Sequence, residues 1–291
     1  MDRNQKRWLW ISLGFSAVVL VAVLYFTVDA ATVSYLRRLN PFWLILALCT
    51  HVIALCFWAL RIKFMSRSLG YRVGFFYSLN LVFANMLLAA ITPSQAGGEP
   101  VRIHELYKAG VKVGDATAIV LTERILDGIV LGIGGAFFMF VLGSEWRRIG
   151  SVFSYLMYIS WIIITIMVII FIYSVKNPGL LKRIIHYSSR WFTRKWESRK
   201  IERFAQSIDS EVDNFHNTLA DFLSHGKAGL VFGLIFTTLF WFCEFVIVSI
   251  LLVGLSQPPI FIESLIVQLV IAVIMMIPLT PGASGIAEIS F

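Results

Sequence analysis

Charged residues are scarce in this sequence. Only 14% of the 291 residues are charged, 58% are hydrophobic, and the mean hydropathy is +0.79, whereas soluble globular domains carry about 25% charged residues. This composition excludes the soluble class. Long uncharged runs cover residues 8–28, 41–60, 73–98, 149–175, 245–262 and 264–287. Most exceed the roughly 18 residues of a spanning helix, and the alternation typical of a membrane barrel is missing. The sequence therefore predicts an all-α, polytopic membrane protein with a single transmembrane domain over residues 1–291.

Cysteine is also rare, and motifs of common enzymes are missing. Cys49, Cys56 and Cys243 all fall inside predicted helices, which argues against a disulfide framework or a zinc site and indicates small packing residues. The sequence has no Gly-rich nucleotide loop, zinc-binding helix or nucleophile elbow. We therefore predict neither enzymatic activity nor a metal or cofactor.

Positive charge exceeds negative charge, and the net charge is +8. The basic residues flank apolar segments, which is typical of membrane topology rather than of nucleic-acid binding. They concentrate at the N-terminus, in residues 61–72 and in residues 176–227, the last of which hold ten of the 25. These regions, including Arg61, are predicted to be cytoplasmic in a plasma-membrane protein whose N-terminus is cytoplasmic.

The segment 176–227 is the most extensive polar insert. Residues 176–203 hold nine basic and two acidic residues with interleaved aromatics, a composition that predicts binding to the anionic inner leaflet. Apolar residues then recur at helical spacing over residues 201–222. We interpret this stripe as an interfacial helix; a coiled-coil seam that makes a homo-oligomer and a regulatory partner site are the alternatives.

The stretch ITPSQAGGEPVRI, residues 91–103, ends an apolar run with two prolines and two adjacent glycines. If residues 73–91 crossed the membrane completely, the basic insert would lie outside the cell. The stretch is therefore predicted to form a re-entrant hairpin with structural breaks at Pro93 and Pro100. Non-helical backbone at membrane depth in turn requires a polar cavity.

A second stretch, IPLTPGASGIAEISF at residues 277–291, repeats the pattern. Its structural breaks are Pro278 and Pro281, and Glu288 follows them. The crossing count predicts that this stretch is approached from the opposite face of the membrane. Two similar breaks entered from opposite faces predict an inverted-topology repeat, an architecture of transporters with a binding site near the midplane.

Most of the charge predicted to lie within the membrane is found between residues 91 and 127. A helix that starts at Pro100 would direct its free N–H groups at the glycine break and form an anion site. Arg102 would add a forked donor that matches phosphate. The candidate substrate-binding residues are Gly97, Gly98, Glu99, Arg102, Glu123, Arg124, Asp127, Gly282, Ser284, Gly285 and Glu288.

Glu123 and Asp127 also have a purely structural interpretation. They lie four residues apart on one helical face. An ion-pair cluster that joins their helix to Arg102 or Arg61 would explain them without a substrate.

Two further ionisable residues fall inside apolar segments. Glu244 lies near the centre of its segment and is interpreted either as a partner for an arginine or as a residue near the interface. His51 is interpreted as a packed, hydrogen-bonded histidine rather than a proton relay.

Three motifs carry a family resemblance: TPSQAGGEPVRIHEL from residue 92, TERILDG at residues 122–128 and PLTPGASGIAE from residue 278. They resemble, in the same order, the flippase-like transmembrane domain of lysylphosphatidylglycerol synthases. The resemblance implies a lipid-translocating domain, which some members fuse to a soluble aminoacyl-transfer domain and others link with polyprenyl glycolipids. No such fused domain follows here, so a separate lipid-synthesising enzyme is an expected partner. Family members continue past the last glutamate, which leads us to expect a truncated chain.

These observations predict a lipid translocase. A cationic groove would admit the phosphate-bearing head group of an aminoacylated phospholipid or a polyprenyl-phosphate-linked lipid while the tails stay in the bilayer. Two alternatives use the same features. A secondary transporter of a small soluble anion would need a cavity closed to lipid, and a membrane scaffold would recruit a lipid-modifying enzyme through the basic insert.

Overall fold

The computed structural model describes residues 40–91, 98–142, 227–259 and 261–275, with further helical positions between 155 and 169 and between 217 and 222. The helices in these ranges are α1 Pro41–Ser68, α2 Phe75–Ile91, α3 Gly98–Lys108, α4 Val113–Leu142, α5 Lys227–Gly254 and α6 Phe261–Met275. Every regular element in this part of the chain is helical, which confirms the predicted all-α class there. By length and composition, α1 and α5 are long and apolar enough to cross a membrane.

Several predictions concern residues outside the described ranges. They include the first apolar run, residues 8–28, the leaflet-binding segment, residues 176–203, and the inverted repeat that depends on the second break. The individual residues in this group are Pro93, Gly97, Pro278, Pro281, Gly282, Ser284, Gly285 and Glu288.

Helices α1 and α5 form the longest contact in the bundle and run antiparallel. The backbone N–H of Asn40, which precedes α1, donates to the Gly254 carbonyl at the end of α5 (3.2 Å). At the opposite end, a Cβ added at Gly229 would lie 2.6 Å from the Ser68 Cβ. Only glycine permits this approach, and small residues at such spacing are typical of packed membrane helices.

The ends of α1 and α3 depend on glycines in the left-handed region. Gly70 has a φ of 86° and Gly110 a φ of 88°. The residue after each glycine donates its N–H back into the last turn, from Tyr71 to the Ser66 carbonyl (3.0 Å) and from Val111 to the Leu106 carbonyl (3.1 Å). These are Schellman caps, which satisfy terminal carbonyls and turn the chain sharply. Each cap leads into the next helix at the same end of the bundle.

Helices α2 and α3 form an antiparallel hairpin. The Tyr77 hydroxyl, near the start of α2, donates to the Glu105 carbonyl, near the end of α3 (2.9 Å). At the other end, a Cβ added at Gly98 would lie 2.7 Å from the Asn85 side-chain oxygen and 3.3 Å from the Ala89 Cβ. With 11 residues, α3 is only about 16 Å long, roughly half of the ~30 Å hydrocarbon core. This is the geometry that a re-entrant hairpin needs, and its position in a membrane stays a prediction.

The structure corrects three details of the sequence interpretation. Helix α3 begins at Gly98 rather than at Pro100, so Pro100 lies in the first turn, where its missing N–H costs nothing, and does not break the helix. Helix α1 continues past its uncharged run to Ser68, through Arg61. Cys49 is exposed and is therefore not a packing residue among the described helices.

Helix α4 lies between α3 and the α1–α5 pair. Leu126 faces Gly233 of α5, where an added Cβ would lie 2.8 Å from the Leu126 Cδ1. Likewise, a Cβ added at Gly134 would lie 3.2 Å from the Leu269 Cδ1 of α6. The hydrophobic core of the bundle contains Phe222, which is 1% exposed. Phe222 is a member of the apolar stripe in the basic insert. This stripe residue therefore packs against the bundle.

Exposed cations gather at one end of the bundle, which we call the basic end. The caps, the hairpin and the α1–α5 pair place there the last turn of α1, the last turn of α3 and the starts of α2, α4 and α5. The residues that define the basic end are Arg67, Arg72, Lys108, Lys112 and Lys227. At the other end, the link 256–259 between α5 and α6 carries no charged residue.

Candidate functional site

Four charged side chains meet inside the bundle, and we call them the ion network: Arg61, Arg102, Glu123 and Asp127. Arg61 of α1 donates through Nε to Glu123 Oε1 (2.7 Å) and through Nη1 to Asp127 Oδ1 (2.6 Å), both on α4. Arg102 of α3 forms an ion pair with the second oxygen of Glu123, Oε2. Glu123 thus connects three helices.

The ion network is almost completely buried. Glu123 and Arg102 are 0% and 1% exposed, and Arg61 is 2% exposed. An unpaired ion in such a place would cost several kcal/mol even after relaxation. Two arginines and two carboxylates cancel in charge, so the helices can bury them together. The arrangement requires all four members, because loss of any one leaves a net buried charge.

Helix α5 contributes the neutral partners of the network. The Thr237 hydroxyl accepts a hydrogen bond from Arg61 Nη1 (2.9 Å) and donates to the Gly233 carbonyl (2.7 Å). The Trp241 indole N–H donates to Asp127 Oδ1 (3.1 Å). Four helices therefore share one polar cluster.

The ring of Trp58 lies beside both arginines of the network. The Arg61 guanidinium carbon is 5.9 Å from the ring centroid, and that of Arg102 is 5.4 Å from it. Both distances fall within the range of cation–π attraction. Trp58 and Glu123 therefore hold together two guanidinium groups whose like charges repel.

A second ion pair lies at the edge of the network. Arg124 Nε donates to Glu99 Oε1 (2.6 Å), and the two side chains are 36% and 47% exposed. Glu99 lies in the first turn of α3, where the helix dipole favours a carboxylate. This pair is the solvent-accessible edge of the buried network, and we call it the margin.

The last turn of α3, which lies at the basic end, carries a local ion pair. Lys108 Nζ donates to Glu105 Oε1 (2.8 Å). This hydrogen bond lowers the pKa of the Glu105 carboxyl and raises the pKa of the Lys108 ammonium relative to their ordinary values. Both groups keep their charges at neutral pH, and the pair stabilises the end of the hairpin.

The structure brings together the described members of the predicted site. Gly98, Glu99 and Arg102 on α3 meet Glu123, Arg124 and Asp127 on α4. The predicted ion-pair cluster between α4 and Arg102 or Arg61 is confirmed, and it includes both arginines. The role of these residues in substrate binding stays a prediction.

The sequence interpretation missed several members of the site. Arg61 was offered as a possible partner of the α4 carboxylates, and the structure shows it paired and buried at 2% exposure. Trp58, beside both arginines, was not predicted; the available signal was its spacing, since it precedes Arg61 by three residues on the same helical face. Thr237 and Trp241 of α5 carry no comparable signal in the sequence.

His51 and Glu244 pair with each other across the α1–α5 contact. His51 Nδ1 lies 2.9 Å from Glu244 Oε1, and the side chains are 35% and 26% exposed. The expected hydrogen-bonded histidine is thus confirmed, whereas an arginine partner for Glu244 is not found among the described residues. His51 lies ten positions from Arg61 on α1, which is about 15 Å along the axis, so this pair is separate from the ion network.

Metal ligation has no support in the described ranges. No group of three or more His, Cys, Asp or Glu side chains comes together there in a way that could hold a metal ion. The arrangement of the ion network, in which cations face every carboxylate, also does not suit a metal. Its chemistry is that of charge compensation between helices.

Comparisons with known proteins place the chain among membrane proteins. The family model described as the lysylphosphatidylglycerol synthase TM region matches residues 9–291. A UPF0104 membrane protein of Archaeoglobus fulgidus is 34% identical over 281 residues, which cover 96% of this chain and 84% of the relative. A UPF0104 membrane protein of Methanocaldococcus jannaschii is 26% identical over 282 residues, with 96% and 81% covered. No solved structure matches the chain.

Removal of one cation from the ion network should destabilise the protein. Arg61→Leu leaves Asp127 without its cation and gives the buried cluster a net negative charge, so we expect a loss of about 3–5 kcal/mol, measured as a fall in Tm in detergent. The matched control is Arg67→Leu, the same substitution on the exposed face of α1, which should cost less than about 1 kcal/mol. Equal Tm values for the two variants would contradict the compensated network.

Proposed function

Because this chain belongs to the family of the lysylphosphatidylglycerol synthase TM region, we propose that it moves a phosphate-bearing lipid between the two leaflets of the membrane. The observation that carries the proposal is the continuous set of charged side chains formed by the buried ion network and by the half-exposed pair Glu99–Arg124 at its edge, and we propose that it serves as a polar path. The substrate class that suits this path is an aminoacylated phospholipid or a polyprenyl-phosphate-linked lipid, made by a separate enzyme. The proposal assigns no bond-making step to the chain.

The physical obstacle to lipid translocation is the charge of the head group. An ionised group transferred from water to hydrocarbon costs on the order of 20 kcal/mol by the Born estimate, whereas the lipid tails cross with no such penalty. A path of fixed charges and dipoles lowers the barrier because it replaces the lost hydration. Such a path must reach from the surface to the middle of the bundle.

The α2–α3 hairpin supports a path of this depth. The Glu99–Arg124 pair places the start of α3 at the level of residue 124 on α4. This residue is eleven positions after Val113, the first residue of α4, and is thus about 16 Å from the basic end. Helix α4 has 30 residues and is thus about 45 Å long. We propose that the hairpin is re-entrant, with the first turn of α3 and its free N–H groups near mid-membrane.

Ion exchange at Arg124 gives the head group a way in. A phosphodiester carries one negative charge, as does Glu99, so it can replace Glu99 beside Arg124 without a change in net charge. Glu99 is half exposed and can turn to water while the lipid is bound. When Glu99 returns to Arg124, it displaces the phosphate and releases the lipid.

The orientation follows from the basic end. We propose that the cations of this end face the cytoplasm of a plasma-membrane protein, since positively charged residues prefer the cytoplasmic side. In this orientation the 256–259 link lies outside, and the hairpin opens from the inside.

Cysteine labelling tests this topology. In a variant whose three native cysteines are replaced by serine, Arg72→Cys and Lys112→Cys should react with an impermeant maleimide from the cytoplasmic side, and Gln257→Cys from the outside. Gln95→Cys, between α2 and α3, should not react from the outside. Reaction of position 95 from the side of position 257 would show a hairpin that crosses the membrane completely, contrary to the proposal.

Translocation by the purified protein tests the function. Vesicles should contain the chain with either fluorescent phosphatidylglycerol or a fluorescent polyprenyl phosphate, and loss of label to an impermeant reductant reports movement. We expect Arg124→Gln to slow movement at least tenfold because the phosphate loses its cation at the margin. Glu99→Gln should also slow it, since no carboxylate displaces the bound phosphate.

The matched control is Lys108→Gln, which removes an exposed cation at the basic end and should leave the rate unchanged. All variants must keep the wild-type Tm, a reasonable demand because exposed ion pairs contribute only about 0–1 kcal/mol. Wild-type protein that moves neither lipid faster than protein-free vesicles would refute the proposed function. Wild-type rates in Arg124→Gln would refute the exchange site.

A further inference from the structure

Two N–H groups at the ion network have no hydrogen-bond partner among the residues that the structure describes. Trp58 Nε1 and Arg102 Nε are both fully buried N–H groups without a hydrogen bond, and the Arg102 side chain as a whole is 1% exposed. The other indole of the site, Trp241, is paired with Asp127. A buried donor without an acceptor costs about 1–3 kcal/mol, so the two groups call for an explanation.

The carboxylates of the network face other donors. Each oxygen of Glu123 already faces an arginine, and Asp127 Oδ1 accepts from both Arg61 and Trp241. The other buried oxygens nearby do not serve them either, since Asn85 Oδ1 and Thr122 Oγ1 are themselves without a partner. The two N–H groups are therefore left without an acceptor among the described residues.

The two donors belong to one place in the fold. The Arg102 guanidinium carbon lies 5.4 Å from the centre of the Trp58 ring, so the indole and the guanidinium group are direct neighbours. Gly98 and Arg102 are four residues apart on the buried face of α3, which sets this place one turn inside the helix start. It lies deeper than the Glu99–Arg124 margin.

We propose that Trp58 Nε1 and Arg102 Nε together donate to the anionic oxygens of a phosphate group, as an inner binding position beyond Arg124. This inference rests on the proposed function and adds a residue to it: Trp58 would touch the head group itself. A phosphodiester offers two acceptor oxygens of the required kind. A neutral head group, such as that of a diacylglycerol, offers no oxyanion and would not be held.

The sharpest test is Trp58→Phe, which keeps an aromatic ring beside both guanidinium groups and removes only the N–H donor. Titration of the protein in maltoside detergent with dihexanoyl phosphatidylglycerol should show an affinity on the order of tenfold lower, the effect of one hydrogen bond to a charged group. Binding of dihexanoyl glycerol, which has no phosphate, should be the same in both proteins. Translocation of fluorescent phosphatidylglycerol should slow in parallel, with the Tm unchanged.

Trp43→Phe is the matched control, because Trp43 lies at the other end of α1 against Phe42 and should change neither binding nor transport. Trp58→Leu removes the ring as well and should also lower the Tm, which separates the packing role of the ring from the donor role. A parallel titration with inorganic phosphate tests whether the site binds free phosphate or a lipid head group. Inorganic phosphate that binds as tightly as the lipid would overturn the lipid head group as ligand.

The failures of the two proposals are distinguishable. If Arg124→Gln impairs translocation and Trp58→Phe behaves as wild type in both binding and translocation, the inner position is refuted and the proposed function stands. If the wild-type protein moves no lipid, the proposed function fails, and the titration alone then decides the inner position. Equal affinity of wild type and Trp58→Phe for dihexanoyl phosphatidylglycerol would refute it in that case too.

Discussion

The carboxylate of Glu123 is the interaction on which the rest of the described structure depends. Its two oxygens face two arginines from different helices, Arg61 and Arg102. Together with Leu106 of α3, which is buried in the apolar core, this ion pair fixes where α3 lies against α4. The position of α3 in turn sets the depth of the hairpin and the location of the Glu99–Arg124 pair.

The charges of the site change in character from the interior to the edge. In the interior, the ion network is neutral and buried, so it acts as a fixed electrostatic framework. At the margin, Glu99 and Arg124 are neutral as a pair but open to solvent, so an exchange of one anion for another costs little there. A translocation path needs both properties, since a rigid polar interior keeps its dipoles oriented and an exchangeable edge admits and releases the lipid.

Much of the fold can be predicted from the sequence because runs of apolar residues and breaks are local signals. The composition predicts a helical membrane protein, and the glycines and prolines near residue 97 predict that the chain turns between α2 and α3. The charges of α3 and α4 are also visible as candidates, since their cost in hydrocarbon makes them stand out.

Pairing across helices is not a local signal, and there the sequence interpretation was incomplete. The sequence offers Arg102 or Arg61 as the partner of the α4 carboxylates, and only the placement of the helices shows that both take part. His51 and Glu244 lie 193 residues apart, and only the antiparallel register of α1 and α5 brings them together. A proline can break a helix or lie in its first turn, and the sequence alone does not show which. Pro100 lies in the first turn because α3 begins two residues earlier, at Gly98.

A double-mutant cycle on Arg102 and Glu123 tests the central claim most directly. Each single substitution, Arg102→Met or Glu123→Met, leaves an uncompensated buried charge, whereas the double variant leaves Arg61 and Asp127 as a neutral pair. Measured by unfolding in detergent, the double variant should be more stable than either single variant, each of which should lose about 3–5 kcal/mol. Additive losses in the double variant would show that the two side chains do not compensate each other and would contradict this account.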